Sequence, residues 1–255
     1  MFYIVGSTGL ISKQIKKILK DKSCYFLSSR KKTYKILKKI KKKDTIILLS
    51  NLGNLNKYEK NKNKVKKFHS NLIANIIQKL KKEIKIIFFS TDMVYSGNKK
   101  KIYKDNSKVG PINSYGNSKV FLENIIKKNF RNYLILRLTK VYSTKKIHKT
   151  FLTQLSKVKT NYLFSDQKVH YLNYLDLGII IKKVLSKKNL VGTFNVPGKI
   201  FSTRYNFVNK YLKKYENNKI KIYPISVKLK KNLPVHLKLK TNLYKKINYY
   251  PAKLF

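Results

Sequence analysis

Two residues one helical turn apart, Tyr115 and Lys119, have side chains that together can move a proton. Residues i and i+4 lie on one face of a helix, so a helix here would put the lysine ammonium beside the phenol. A phenol has an ordinary pKa of about 10, and a neighbouring positive charge favours the phenolate. Such a tyrosine can exchange a proton with a carbonyl or alcohol oxygen. Alone, the spacing is weak, because the chain holds 19 tyrosines and is rich in lysine.

Hydroxyl and carboxyl side chains end an apolar run shortly before this pair. The strand candidate Lys85–Phe89 continues into Ser90, Thr91 and Asp92. In doubly wound sheets, ligands bind at the carboxyl ends of parallel strands. The order of a glycine turn, this Ser-Thr-Asp run and the Tyr-Lys pair, which is flanked by Pro111 and Gly116, therefore favours an enzyme site.

A turn rich in small residues follows the first strand candidate, Phe2–Val5. It reads Gly6, Ser7, Thr8, Gly9, Leu10, Ile11 and Ser12. Glycines here permit a tight turn and let a pyrophosphate approach the backbone N–H groups at the start of a helix. Ser12 replaces the third glycine of the usual fingerprint and is small enough for close packing of helix on strand. A plain structural turn is the alternative.

Arg30 follows the second strand candidate, about 20 residues beyond the glycines, where an acid would hold the ribose 2′-hydroxyl of NAD. No acid stands there, and an arginine suits the 2′-phosphate of NADP. NADP(H) is therefore favoured and NAD(H) is the alternative cofactor. The alternative is that Arg30 is a solvent-exposed residue after a strand and binds no ligand.

Apolar runs alternate with helix-period segments in the first half, which predicts βαβ units, a parallel sheet and right-handed crossovers. The strand candidates are Phe2–Val5, Tyr25–Leu27, Thr45–Leu49, Lys85–Phe89 and Tyr133–Leu138. The helix candidates are Ser12–Lys20, Thr33–Lys41, Val65–Leu80 and Tyr115–Lys128, with a loop over Asn51–Lys67.

The second half predicts a smaller and less regular α/β part. Its candidates are a helix at Phe151–Lys157, a strand at Tyr162–Phe164, a helix at Leu175–Leu185, a strand at Thr193–Val196 and a helix at Tyr205–Tyr215. The tail, punctuated by three prolines, predicts loops and short helices packed on the first half. The fold class is thus α/β, a doubly wound (Rossmann) sheet in residues 1–142 with an interleaved substrate-binding part in residues 143–255.

The formal net charge of +50 would ordinarily indicate a nucleic-acid binder. Only four of the 60 basic residues are arginine, however, the residue preferred for phosphate and base recognition. Lysine, isoleucine, asparagine and tyrosine are abundant and alanine is nearly absent, a bias typical of an A/T-rich genome. Nucleic acid is therefore disfavoured as a partner, and the scarce glycines, acids and arginines become informative.

The motifs resemble those of the extended short-chain dehydrogenases/reductases, and within them the dTDP-4-dehydrorhamnose reductase (RmlD-type) branch. That branch reads approximately STDYVFDG, then Y-x-E-x-D, then P-x-N-x-YG-x-SK-x-x-GE. This chain has STDMVYSG at 90–97, Tyr103 and Asp105, then PINSYGNSKVFLE at 111–123. LRLTKVY at 136–142 resembles the family's LRTSWVY, and weaker landmarks follow to about residue 200.

The resemblance implies that Tyr115 protonates the 4-keto oxygen of a nucleotide sugar, that Lys119 lowers the pKa of Tyr115 and binds the cofactor ribose, and that Thr91 hydrogen-bonds the same oxygen. The predicted cofactor contacts are Gly6, Ser7, Thr8, Gly9, Leu10, Ile11, Arg30, Ser50, Asn51, Tyr115 and Lys119. The predicted substrate contacts are Asp92, Met93, Val94 and Lys140. Met93 and Lys140 replace a tyrosine and a tryptophan that help to hold the sugar, which puts the particular keto sugar in doubt.

Other functions stay open from the sequence. An NAD-dependent nucleotide-sugar epimerase or dehydratase carries similar motifs, and Asp92 provides the acid that a dehydratase needs. A non-catalytic member is an alternative, since the branch is similar to a regulatory subunit of methionine adenosyltransferase, as is an RNA-binding protein on this fold. A homodimer is compatible with the resemblance.

The chain shows no sign of a metal site, a membrane segment or a secreted protein. The single cysteine and four scattered histidines lack metal-ligand spacing. No apolar run approaches the roughly 18 residues of a membrane helix, and no signal peptide is visible. We expect a cytoplasmic protein with no membrane partner and no metal.

Overall fold

The structure, a computed structural model, describes residues 1–6, 9–20, 24–27, 36, 39–49, 59, 74–145, 148, 150–155, 160–215, 220–230 and 232–252. Its strands are β1 Phe2–Val5, β2 Cys24–Leu27, β3 Thr45–Leu48, β4 Lys85–Thr91, β5 Ile102–Tyr103, β6 Tyr133–Leu138, β7 Lys140–Tyr142, β8 Thr160–Phe164, β9 Lys168–Asn173, β10 Gly192–Val196, β11 Ile200–Thr203, β12 Lys221–Ile225 and β13 His236–Leu239. Its helices are α1 Leu10–Leu19, α2 Asn75–Gln78, α3 Ser114–Asn129, α4 Phe151–Leu155, α5 Tyr174–Ser186, α6 Arg204–Tyr215 and α7 Leu243–Ile247.

A parallel sheet of six strands forms the main layer, in the order β10-β6-β4-β3-β1-β2. All seven residues of β4 are buried, because a central parallel strand is covered on both faces. Thr91 at the end of β4 is in register with Leu138 at the end of β6. The carboxyl ends of these strands therefore meet at one edge of the sheet, which confirms the predicted fold class.

Helices cover both faces of this sheet because its strands are apolar on both sides. Successive strand residues point to opposite faces, so Ile87 packs in one core cluster and Phe88 in the other. The Ile87 cluster includes Ile15 of α1 and Ile181 of α5. The Phe88 cluster includes Ile126 of α3. Both clusters are built from the amphipathic segments that the sequence predicts.

A second sheet, in the order β11-β9-β13-β5 with β7 paired to β9, lies beside the pair β12-β8. A third core cluster, with Tyr142, Tyr171 and Phe207, packs here. The two halves of the chain interleave, since β10 completes the main sheet and β5 joins the second one. The division at residue 142 stays a prediction.

The structure confirms the predicted strands of the first half and the predicted helices at Ser12–Lys20 and Tyr115–Lys128, with shifts of a few residues at their ends. The helix predicted at Thr33–Lys41, the loop at Asn51–Lys67 and most of the helix at Val65–Leu80 lie outside the described residues.

The expectation for the tail is wrong in part, because β12 and β13 are strands. Pro224 lies within β12, which pairs with β8 alone among the described strands. A strand with one neighbour tolerates the missing N–H of a proline. The short helix α7 does follow, as expected.

In the described ranges, none of the helices combines the length and the apolar character that crossing a membrane requires. The same residues contain no group of three or more histidine, cysteine or acidic side chains placed to hold a metal ion.

Candidate active site

A cavity of about 190 Å³ opens at the carboxyl edge of the main sheet. Its described walls come from the start of α1, the ends of β3, β4 and β6, the segment at β7 and the first two turns of α3. They are Ile11, Leu49, Phe89, Ser90, Thr91, Tyr115, Lys119, Leu138, Thr139 and Val141. The three residues predicted to be catalytic thus line one cavity together with Ile11, a predicted cofactor contact.

The start of α3 positions the tyrosine and the lysine. Asn113 caps the helix, with its side-chain oxygen accepting a hydrogen bond of 2.7 Å from the Gly116 N–H. Gly116 packs so closely that a Cβ atom there would lie 2.2 Å from the Met93 carbonyl oxygen. Glycine at 116 therefore lets α3 approach the turn after β4, which brings Tyr115 to Thr91.

Lys119 is held in a buried position, with 2% of its surface exposed. Its ammonium donates to the Phe89 carbonyl oxygen at 3.2 Å and lies 5.8 Å from the centre of the Tyr115 ring. Burial lowers the pKa of Lys119 to about 8, against the opposing charge of Glu123. The half-buried Tyr115 therefore has a buried cation next to it in the wall of the cavity.

Thr91 caps the 3-10 turn Asp92–Val94 and is nearly buried. Its hydroxyl donates to the Asp92 carboxylate at 3.2 Å and accepts from the Met93 N–H at 3.3 Å. Burial raises the pKa of Asp92 to about 7, although the Thr91 hydrogen bond and the charge of Lys140 oppose it. Asp92 is thus protonated in an appreciable fraction of molecules near neutral pH.

The predicted substrate contacts differ in how they are placed. Met93 is half-buried beside the Asn113 amide, and Lys140 begins β7 with its ammonium enclosed near Asp92. The Val94 side chain is fully buried in the third core cluster. A contact of Val94 with substrate would therefore have to come from its backbone.

The described residues on either side of Ser7 and Thr8, which are Gly6 and residues 9–12, fit an anion-binding helix start. Gly6 has a φ of 95°, a left-handed conformation that favours glycine, and its N–H donates to the Leu27 carbonyl at 3.2 Å. Gly9 precedes α1 without a side-chain cap, and the first turn of α1 has no acid. No described atom lies within 4 Å of where a Gly9 Cβ would be. The uncapped helix start and the open space beside it fit a dinucleotide pyrophosphate.

The other predicted cofactor residues are only partly described. Leu10 is half-buried at the first position of α1, and Ser12 is buried, as close packing of the helix requires. Ser7, Thr8, Arg30, Ser50 and Asn51 lie outside the described residues.

Sequence reasoning missed a buried network behind the cavity. The Arg137 guanidinium donates to both oxygens of the Glu123 carboxylate, at 3.0 and 2.6 Å, and to the Tyr95 hydroxyl at 2.7 Å. Ser90, which precedes Thr91, donates to Glu123 at 2.6 Å. Arginine and glutamate are scarce in this chain, and this scarcity was the one feature of the sequence that could have drawn attention to Glu123 and Arg137. The network ties β4, β6 and α3 together one helical turn from Lys119.

The fold and this site define a dinucleotide-binding oxidoreductase of the short-chain dehydrogenase/reductase class. The sequence matches the family model described as RmlD substrate binding domain over residues 1–238. The chain therefore belongs to the RmlD family, which confirms the resemblance of its motifs. No curated protein sequence matches the chain.

Solved structures of low sequence identity share the fold. A dTDP-4-dehydrorhamnose reductase from Bacillus anthracis in complex with NADP is 20% identical, with a TM-score of 0.84 and coverage of 98% of this chain and 93% of the other. A dTDP-4-dehydrorhamnose reductase from Clostridium acetobutylicum is also 20% identical, with a TM-score of 0.78 and coverage of 97% and 92%. DesIV, a dTDP-glucose 4,6-dehydratase from Streptomyces venezuelae with NAD and TYD bound, is 14% identical, with a TM-score of 0.78 and coverage of 100% and 92%.

Proposed function

We propose that this chain is an NADP(H)-dependent reductase that acts on a nucleotide-linked 4-keto sugar. The observation that carries the proposal is the convergence of Thr91, Tyr115 and Lys119 on one cavity beside the uncapped start of α1. Membership of the RmlD family and the NADP complex of the Bacillus anthracis reductase support it. Homodimer formation and a cytoplasmic location stay predictions.

Residues of this chain would supply the proton for the substrate carbonyl oxygen and would orient that carbonyl. The Tyr115 hydroxyl would donate its proton to the substrate carbonyl oxygen while the buried Lys119 ammonium stabilises the developing phenolate. The Thr91 hydroxyl, held at the end of β4, would turn its proton from the Asp92 carboxylate to the same oxygen and so fix its position. When bound, the nicotinamide would supply the hydride. The start of α1 would bind the pyrophosphate of that cofactor.

The decisive assay follows NADPH oxidation by absorbance in the presence of dTDP-4-keto-6-deoxyhexoses. We expect saturable oxidation that requires the 4-keto sugar and yields a 4-hydroxy product. A folded protein that binds NADPH but oxidises none with any nucleotide-linked 4-keto sugar would contradict the proposal.

A nucleotide-sugar dehydratase is a second candidate because of Asp92. A buried carboxyl with a pKa near 7, next to Thr91, can deliver a proton to a leaving hydroxyl group. The fold shared with DesIV is compatible with this activity. Formation of a 4-keto-6-deoxy product from dTDP-glucose in the presence of NAD would favour the dehydratase over the reductase.

Reductase activity should fall as the pH rises through 8. Lys119 loses its proton in this range because burial has lowered its pKa to about 8, and the neutral amine no longer stabilises the phenolate. The check is the pH profile of kcat/KM between pH 6 and 10. In Lys119→Arg the guanidinium stays charged, so the fall should move to higher pH. An identical profile in both proteins would contradict the assignment.

Arg30 should set the choice between the two cofactors. If its guanidinium binds the 2′-phosphate, Arg30→Ala removes a charge-assisted hydrogen bond and should weaken NADPH binding by roughly 10- to 100-fold. NADH lacks that phosphate, so its affinity should change by less than about threefold. Titration of both cofactors by protein fluorescence measures the ratio, and equal effects on both would show that Arg30 does not read the phosphate.

A further inference from the structure

Two cations from distant parts of the chain contact the same aromatic ring. The Lys140 ammonium lies 5.4 Å from the centre of the Phe151 ring, and the Arg204 guanidinium lies 5.6 Å from the same centre. Arg204 also lies 5.8 Å from the centre of the Phe164 ring. Lysine and arginine stems pack well on aromatic rings, which fixes the place of their charged ends.

The positive charges in this cluster are poorly balanced. Burial and then the charge of Arg204 lower the pKa of Lys140 to about 8, and Asp92 opposes this effect. Among the described residues, no carboxylate lies within 4.0 Å of the Arg204 guanidinium. The buried Tyr171 hydroxyl lies beside that guanidinium, and the charge of Arg204 and a hydrogen bond to it oppose the rise in the Tyr171 pKa that burial causes. Among the described residues that act on Lys140 there are one further cation and one acid, so the cluster carries a net positive charge.

The bias of this chain toward lysine does not account for Arg204. The chain strongly prefers lysine, yet an arginine stands at this half-buried position, at the first residue of α6. Of the other described arginines, Arg137 forms a buried ion pair with Glu123, and Arg131 is exposed. Among the described residues the Arg204 guanidinium has the Tyr171 hydroxyl as a partner and no carboxylate, so donors remain that suit the paired oxygens of a phosphate or a carboxylate.

One acid connects the cluster to the reacting groups. Lys140 stands between Thr139 and Val141, which line the cavity. Successive strand residues point to opposite faces, however, so the link of Lys140 to the reacting groups is its electrostatic action on Asp92, the neighbour of Thr91. The cluster is therefore linked to Thr91 through Asp92, whose carboxylate accepts a hydrogen bond from the Thr91 hydroxyl.

We propose that Lys140 and Arg204 form an anion-binding pair that recognises a phosphate or carboxylate group of the substrate and so determines its specificity. This rests on the proposed function, since it places the anion on the nucleotide sugar. The phosphates of the nucleotide and a carboxylate on the sugar share this chemistry. Asp92 would then orient Lys140 from the opposite side.

The test is a calorimetric titration with dTDP, UDP, UDP-glucose and UDP-glucuronate, which needs no turnover. In Arg204→Gln and Lys140→Gln, at least one of these anions should bind at least tenfold more weakly. Arg204→Lys keeps the charge but loses the paired donors, so its affinity should lie between those of Arg204→Gln and the wild type. Weakening of all four probes assigns the phosphates. Weakening of UDP-glucuronate alone assigns a sugar carboxylate.

Controls separate the pair from general charge and from folding. Arg131→Gln and Lys182→Gln remove one exposed charge each and should leave every probe within twofold, as should NADPH binding in all variants. If Arg204→Gln fails to fold, Lys140→Gln and Arg204→Lys provide the test. The proposal is overturned if both Gln variants bind every probe like the wild type, if NADPH weakens equally, or if the wild type binds no probe. A chain that binds the anions but reduces no keto sugar would refute the proposed function alone.

Discussion

Tyr115→Phe should lower kcat for keto-sugar reduction by roughly 100- to 10,000-fold, the usual contribution of a positioned general acid. The substitution removes one hydroxyl from a half-buried ring and keeps the ring itself. Asn113 and Gly116 hold the start of α3 independently of that hydroxyl. We therefore expect the protein to stay folded and the loss to appear in kcat.

Single-turnover and steady-state kinetics of the purified variant measure this effect, with its thermal unfolding as a check on folding. The matched control is Tyr162→Phe, which removes a hydroxyl from a ring that is 65% exposed on β8. That variant should keep full activity. A Tyr115→Phe protein with the turnover of the wild type would show that another group provides the proton.

Much of the site is predictable because its residues are close together in sequence and follow strands that are easy to recognise. Central parallel strands are buried on both faces and read as continuous apolar runs, as Lys85–Thr91 does from its second residue. The carboxyl end of such a strand is where ligands bind, so position singled out residues 90–92, and the family resemblance gave Thr91 its role. Tyr115 and Lys119 lie on one helix, where a spacing of four residues fixes their relation.

The second sheet was harder to predict because its strands are short and have one buried face. In β13, which spans His236–Leu239, only Leu237 and Leu239 are buried, and lysine separates them. This strand pairs with β9 and β5, which are distant in sequence. Local propensity does not determine such pairing, so the tail was expected to hold only loops and short helices.

Side-chain contacts between distant segments could not be predicted from the sequence either, because local propensity does not determine them. Lys140 was singled out because it replaces a tryptophan of the family that the motifs resemble. Only the fold shows that Arg204 contacts the same Phe151 ring. Likewise, Glu123 and Arg137 were recognisable as scarce residues, whereas their bidentate pairing depends on the packing of α3 against β6.

Breaking the Glu123–Arg137 pair should produce the largest loss of stability of any single charge removal in the described part of the chain. Both side chains are almost completely buried, at 1% and 2% exposure. Burial would lower the pKa of Arg137, but the hydrogen bonds and charge of Glu123 outweigh it and raise that pKa. Glu123→Gln leaves the guanidinium buried without a counter-charge, which costs about 3–5 kcal/mol of the free energy of unfolding.

Urea unfolding of Glu123→Gln, Arg137→Met and the double variant Glu123→Met/Arg137→Met forms the test. The double variant removes both charges, so it should be more stable than either single variant, because no buried charge is left unpaired. The control is Glu83→Gln in the surface pair with Lys42, whose side chains are 57% and 72% exposed. That change should cost less than about 1 kcal/mol, since exposed pairs contribute little. Single variants that unfold like the Glu83 control would mean that water or other groups compensate Arg137. In that case the network could not be what fixes α3, and with it Lys119, against the end of β4.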